Sequence, residues 1–183
     1  RIRVGHGLEK EMMLPKPIIF ALALVGLLIV LGPAPTRAAV HCRKAEQVIF
    51  ACPVKRGKVI SRCASKKLSA KAGYIQYRFG KPGKVELEFP KHSKASQKAF
   101  SYLYDVSAAH IREASRTEVS FTNKDVTYVI YQDVFDATID EQGVAVKRTK
   151  DGKVLVKLAC KVPAVGDLHL LKGVVKQVTA KKP

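Results

Sequence analysis

From Val48 onward, apolar and polar positions alternate along most of the chain with the period of two that marks half-buried strands. Val48, Phe50, Cys52 and Val54 fall on one face, and Val59, Ser61 and Cys63 resume the alternation after Lys55-Arg56-Gly57-Lys58. Ile75, Tyr77 and Phe79 alternate next, followed by Val85, Leu87 and Phe89 beyond Gly80-Lys81-Pro82-Gly83. Thr117, Val119 and Phe121 lead to the turn Asn123-Lys124-Asp125, and the segment Val126–Phe135 is apolar on both faces, as in a central strand covered on each side. Asp140-Glu141-Gln142-Gly143 reads as a solvated turn before Val144 and Val146. After Lys150-Asp151-Gly152, the residues Val154, Val156, Leu158 and Cys160 oppose Lys153, Lys157 and Lys161. Short strands at this spacing, broken by Gly-bearing turns, predict a mainly β fold: an antiparallel meander forming a small barrel or sandwich.

Two stretches depart from the pattern. Residues 93–114 are mixed and predict a short helical turn around 96–103 before another strand. After Pro163, Leu168, Leu171, Val175 and Val178 recur every three or four residues. That spacing predicts a short C-terminal helix, N-capped by Asp167 and docked on the sheet.

The segment GYIQYRFGKPGKVELEFP carries the clearest hairpin. For its two apolar triplets to share a face, the connection must hold an odd number of residues: 81–83, or 80–84. Pro82 disfavours a helical Lys81, which favours the wider loop or a bulge at Gly80, with Gly83 in the turn. Either register sets Arg78 opposite Glu86 and Gln76 opposite Glu88 on the outer face. Arg78 then reads as a register pin in an exposed ion pair, contributing ~0.2–1 kcal/mol.

Ahead of the strands, residues 18–31 are fourteen uncharged apolar residues. At ~1.5 Å per residue they reach about 21 Å, short of a ~30 Å hydrocarbon core. Lys16 before them and Thr36-Arg37-Ala38 after them complete the layout of a cleavable export signal. The expected organisation is an upstream extension at 1–11, a signal peptide at 12–38 and a single β-rich domain at 39–183. No further segment of residues 39–183 is long and apolar enough to span a membrane, so the expected location is periplasmic or secreted.

The whole chain carries 33 Lys and Arg against 15 Asp and Glu, a net +18. Residues 1–38 hold five of the bases and two of the acids, leaving +15 on the expected domain. Such a field attracts anionic polymers and surfaces but does not bear on fold. The bases cluster at Lys55/Arg56/Lys58, Lys66/Lys67, Lys91/Lys94/Lys98, Lys147/Arg148/Lys150 and the C-terminal lysines. Lys55, Arg56, Lys58, Lys147, Arg148 and Lys150 are taken as the anion-binding candidates. Lysine outnumbers arginine and few aromatics interleave, which argues against sequence-specific nucleic-acid recognition.

The four cysteines, Cys42, Cys52, Cys63 and Cys160, all follow the signal and imply two disulfides. No Cys-x-x-Cys pair favours zinc, and no cofactor is expected. A two-residue turn at Gly57-Lys58 would set Cys52 opposite Cys63. That favours the pairs Cys52–Cys63 and Cys42–Cys160. A turn at Arg56-Gly57 would break the face parity, and a four-residue loop would leave Cys52 and Cys63 diagonal.

Catalytic patterns are weak. There is no Gly-x-Ser-x-Gly elbow, and His41, His92, His110 and His169 lie in unrelated contexts. Glu86 and Glu88 share a strand face as any i, i+2 pair does. Asp133, Asp136, Asp140 and Glu141 lack the spacing of a calcium loop.

The spacing Cys42-x9-Cys52-x10-Cys63-Ala-Ser, then Tyr74-x-Gln-Tyr-Arg-Phe-Gly and a late strand ending at Cys160, resembles a group of small exported proteins of Gram-negative bacteria. The resemblance implies a periplasmic or secreted setting; no activity is assigned to that group. The expected function is a non-enzymatic binding protein engaging an anionic envelope polysaccharide, lipid A phosphates or an acidic protein. A secreted enzyme inhibitor and a hydrolase with a dispersed site are the alternatives.

Overall fold

In the computed structural model the described residues are 39–94, 96–109 and 112–180. The expected signal and upstream segment, His110 and the terminal Lys181-Lys182 lie outside them. Alternation becomes two sheets. The first holds β1 (Glu46–Pro53), β2 (Val59–Ser65), β3 (Ile75–Lys81) and β4 (Lys84–Phe89), in that order and antiparallel. The second holds β5 (Ser101–Ala109), β6 (Arg112–Asn123), β7 (Val126–Phe135), β8 (Thr138–Arg148) and β9 (Val154–Ala159), with the short β10 (Lys176–Gln177) parallel to β5.

The sheets share one core. Ile49, Phe50, Ile60 and Tyr77 of the first pack with Phe100, Val119, Phe121 and Ile130 of the second. The architecture is therefore a sandwich; the sheets do not close into a barrel. β7 is central as its pattern implies, but its outer face is covered only by neighbours on the same sheet, where Val129 and Tyr131 bury against Ala145.

The disulfides pair Cys42 with Cys63 and Cys52 with Cys160, correcting the expected connectivity. The turn after β1 is centred on Arg56, where Arg56 (φ 62°) and Gly57 (φ 65°) take left-handed conformations and Val54 N–H donates to Lys58 O. Pro53 therefore faces Val59, and Cys52 faces Ile60. A bulge at Ile49 then offsets the rest of the strand. Cys52 points into the core while Cys63 points to the outer face, so the two cannot meet.

The β3–β4 hairpin also departs from its expected register. Its turn is the tight Pro82-Gly83, Lys81 pairs with Lys84, and Glu86 forms a bulge opposite Gly80. A Cβ at Gly80 (φ 159°) would lie 2.1 Å from Lys84 O, so the close approach itself requires glycine. The bulge moves Arg78 opposite Glu88 instead of Glu86.

Asp140-Glu141-Gln142-Gly143 is not a turn but part of β8; the reversal is made by the two residues immediately before the strand, Asp136-Ala137, both with positive φ. Gly143 serves close packing: a Cβ there would stand 2.2 Å from Leu158 O on β9. The expected C-terminal helix is one 3-10 turn, Leu168–Leu171, whose cap is Asp167 accepting from His169 N–H. Leu168, Leu171 and Val175 enter the core as the stripe implied, but the helical run ends at Lys172, which is extended (φ −60°, ψ 127°), and Val178 stays exposed.

Candidate anion-binding surface

Charge is divided between the two halves of the described chain. Residues 39–104, which build the first sheet, carry fifteen Lys and Arg against three Asp and Glu, a net +12. Residues 105–180, which build most of the second, carry eleven against ten, a net +1. Nearly all of the excess positive charge belongs to one layer.

The three carboxylates of that layer are occupied. Residues 39–45 cross the outer face of the first sheet, held by the Cys42–Cys63 bond, by His41 N–H donating to Ser61 Oγ and by the Glu46 corner. Glu46 receives four hydrogen bonds: two from Arg78 (2.6 and 2.9 Å), one from the Arg43 amide (2.6 Å) and one from Tyr74 Oη (2.9 Å). Arg78 also donates to His41 O and Gln76 Oε1, and its Nε lies 3.5 Å from Glu88. Arg78 is 2% exposed, so the expected exposed pair with Glu86 is replaced by a buried one with Glu46. Glu86 instead binds Lys58 at 2.6 Å. Burial pushes the Glu46 pKa up, but the bonds from Arg78, the Arg43 amide and Tyr74 outweigh it and hold the carboxyl below its ordinary value.

At the end of the sheet where β1 begins, two lysine-bearing segments come together. The β2–β3 connection presents Lys66, Lys67 and Lys71, all exposed. It is ordered by its own backbone: Ser65 Oγ bridges Lys67 O and Tyr74 N–H, Ser69 Oγ accepts from Ala72 N–H, and Leu68 packs on the core. The β4–β5 connection presents Lys91, Lys94 and Lys98, also exposed, around the 3-10 turn Ser96–Ala99. Gln97, buried, donates to Ser69 O (3.0 Å) and Ala72 O (2.9 Å), while Ser96 Oγ exchanges two 2.7 Å bonds with the Ile75 backbone. These bonds dock one lysine segment on the other. No Asp or Glu occurs in residues 47–85 or 89–104, so the six lysines are carried by two docked segments whose own sequence holds no acid.

The anion-binding candidates named from sequence do not converge. Lys55, Arg56 and Lys58 sit on the β1–β2 turn at the other end of the first sheet, about 20 Å away along β2 at ~3.3 Å per residue. Lys58 is neutralised by Glu86 and lies over the Phe79 ring. Lys147, Arg148 and Lys150 are on the second sheet, where Arg148 pairs with Asp151 and, with Lys150, lines an open depression beside Lys124 and Asp125. The clusters that do meet are Lys66/Lys67 and Lys91/Lys94/Lys98, with Lys71 added by the fold. Their signal in sequence was the long acid-free run rather than the density of any one cluster.

Other groupings offer less chemistry. Glu86 is the bulge residue and Glu88 lies beyond it in the ladder, each with a different partner. On the outer face of the second sheet, Tyr131 lies between the Arg116 and Lys157 cations and donates to Glu141. Burial raises the Asp133 pKa there, with Glu141 and Glu118 adding to it against Arg116. Glu141 is lowered chiefly by its bond from Lys157. His169 is exposed, with its Nδ1 2.9 Å from Tyr102 Oη and its Nε2 3.4 Å from Thr117 Oγ1, and no serine or cysteine bonds its ring among the described residues. Donor atoms of Cys42, Glu46 and Cys63 lie within 4.8 Å of one another, a spacing that suits a metal. The disulfide leaves no thiolate, and the Glu46 oxygens are already bonded, so that trio is structural.

Two disulfides indicate an oxidising environment outside the cytoplasm, and no helix among the described residues is long and apolar enough to cross a membrane. No family model, curated protein or solved structure matches the chain.

Proposed function

We propose that this is an exported, non-enzymatic protein that binds an anionic polymer of the bacterial envelope through the lysine patch of its first sheet. The observation that supports the reading is the docking of two acid-free lysine segments by Gln97 and Ser96, which brings six exposed lysines to one end of the first sheet. Lysine ammonium groups act as strongly hydrated point charges. Such a patch suits repeated phosphates or carboxylates and imposes little geometric selection. The signal-like N-terminus and the disulfides support a periplasmic or secreted location.

The test is retention of the oxidised protein on immobilised heparin and its affinity for lipopolysaccharide, both as a function of salt. A random-sequence DNA duplex serves as a ruler, because log K falls against log salt by ~0.9 per phosphate neutralised. Six contacts give a slope of about −5 by that rule. Replacing Lys66, Lys67, Lys71, Lys94 and Lys98 with Gln should shift elution to much lower salt. Replacing Lys147, Arg148 and Lys150 with Gln should have a small effect. Equal effects from the two variants, or no binding at low salt, would overturn the reading.

A further inference from the structure

The face of β2 opposite the Cys42 strap carries a second buried arginine. Arg62 pairs across the ladder with Tyr77 and points between the sheets. Its residue is 0% exposed, and among the described residues Nε, Nη1 and Nη2 have no hydrogen-bond partner. Arg78, one strand away, shows how the same sheet satisfies a buried guanidinium: four hydrogen bonds, two of them to one carboxylate.

Rings surround Arg62. Its guanidinium lies 4.5 Å from the centre of Phe100 and 6.0 Å from that of Phe121. Phe121 is itself stacked between Phe89 (4.4 Å) and Tyr128 (4.8 Å), with Tyr77 at 5.1 Å. Ring faces attract the cation but offset only part of the cost of removing it from water. Burial lowers its pKa to about 9, so it stays charged at neutral pH. A buried polar group of this kind calls for an acceptor.

The surroundings restrict what can supply one. A free hydrated anion gains little from aromatic walls, whereas a molecule with an apolar body replaces ring contacts in kind. The approach is also specific. Phe89 and Phe100 flank residues 90–99, the segment that bears Lys91, Lys94 and Lys98 and no acid. Phe89 and Tyr128, the outer rings of the stack, are only half-buried and form its rim. β4, which carries Phe89, is an edge strand of its sheet.

We propose that Arg62 anchors the headgroup of an anionic amphiphile, a carboxylate or phosphate monoester on a single alkyl chain, taken up between the sheets past Phe89. The lysines at the entrance draw the headgroup in, Phe89 and Tyr128 turn aside, and the alkyl chain packs on Phe100, Phe121 and Tyr77. Guanidinium and oxyanion then form the bidentate pair that Arg62 lacks. This goes beyond polymer binding, and the two sites stand or fall separately.

The test is calorimetric titration of the oxidised protein with dodecanoate and with dodecyl phosphate, both below their micelle concentrations. Dodecyltrimethylammonium is the control of opposite charge. The expected result is saturable one-to-one binding of at least one anion, no comparable binding of the cation, and at least tenfold weaker anion binding by Arg62→Met. The tighter anion identifies the headgroup. Arg62→Met should keep its heparin retention, which separates this site from the lysine patch. In the wild-type protein the Arg62 Nε–H resonance should shift with the bound anion and not with the matching methyl ester, a readout that does not depend on the variant folding. Absence of saturable anion binding, undiminished binding by a folded Arg62→Met, or an unmoved Arg62 resonance overturns the proposal.

Discussion

Replacing Glu46 with alanine removes the acceptor of four hydrogen bonds and leaves the Arg78 guanidinium buried beside a cavity. Breaking one side of a buried ion pair costs about 3–5 kcal/mol, because the remaining charge stays desolvated. For a domain of this size each kcal/mol moves Tm by roughly 2–4 °C, so the midpoint should fall by roughly 6–20 °C. The double replacement Glu46→Leu with Arg78→Met removes both charges and should recover most of the loss. A pH series adds a sign. The native Glu46 pKa lies below its ordinary value of 4.5, so its contribution is complete above that value. It is lost as pH falls through the native pKa. Wild-type stability should drop on acidification below about pH 4.5 more steeply than that of Glu46→Gln, which has no proton to bind there. Urea unfolding followed by circular dichroism measures both effects. A Glu46→Ala loss under 1 kcal/mol, or identical acid slopes, would refute the claim that this pair fixes the strap.

The remaining tests concern cross-links and packing. Non-reducing peptide mapping should recover Cys42–Cys63 and Cys52–Cys160; a Cys52–Cys63 peptide would contradict the β1–β2 register. Because the bonds span 108 and 21 residues, chain entropy predicts losses of about 4.8 kcal/mol for Cys52→Ser/Cys160→Ser and about 3.3 kcal/mol for Cys42→Ser/Cys63→Ser. Arg62→Met should raise the stability of the unliganded protein by about 1–4 kcal/mol in urea unfolding, since it replaces an unpartnered charge with an apolar group. Gly143→Ala should cost about 1–3 kcal/mol by overpacking β8 against β9, and an unchanged midpoint would show that the strands can part there.

Much of the fold was legible because alternation reports burial directly. The strands around Phe50, Tyr77, Phe121, Val129 and Val154 were all where their patterns placed them, and the Asp167 cap was readable from its position before Leu168. Register was not legible. It depends on left-handed residues such as Arg56 and on bulges at Ile49 and Glu86, each of which moves every later side chain by one place. The wrong cysteine pairing and the misplacement of Arg78 share that origin. Gly143 looked like a turn residue because sequence does not distinguish a glycine needed for φ from one needed for space. Arg62 sits at a core-facing position of an alternating strand, and only the three-dimensional partner count separates it from an outward arginine. The lysine patch was half visible: the clusters were evident, but their meeting depends on Gln97 and Ser96, two unremarkable polar residues.

The uneven division of charge between the layers has a mechanical consequence. A net +12 over residues 39–104 and +1 over residues 105–180 separate charge between the two layers of the described chain, which gives it a dipole directed from one sheet to the other. Near a polyanionic surface, a dipole experiences torque as well as attraction. The protein should therefore arrive already turned, with its first sheet toward the polymer. The opposite face, where Tyr131 lies between Arg116 and Lys157, would be left looking into the surrounding fluid. Attachment would then produce an oriented layer rather than a random coat, presenting the same near-neutral strand face outward from each copy.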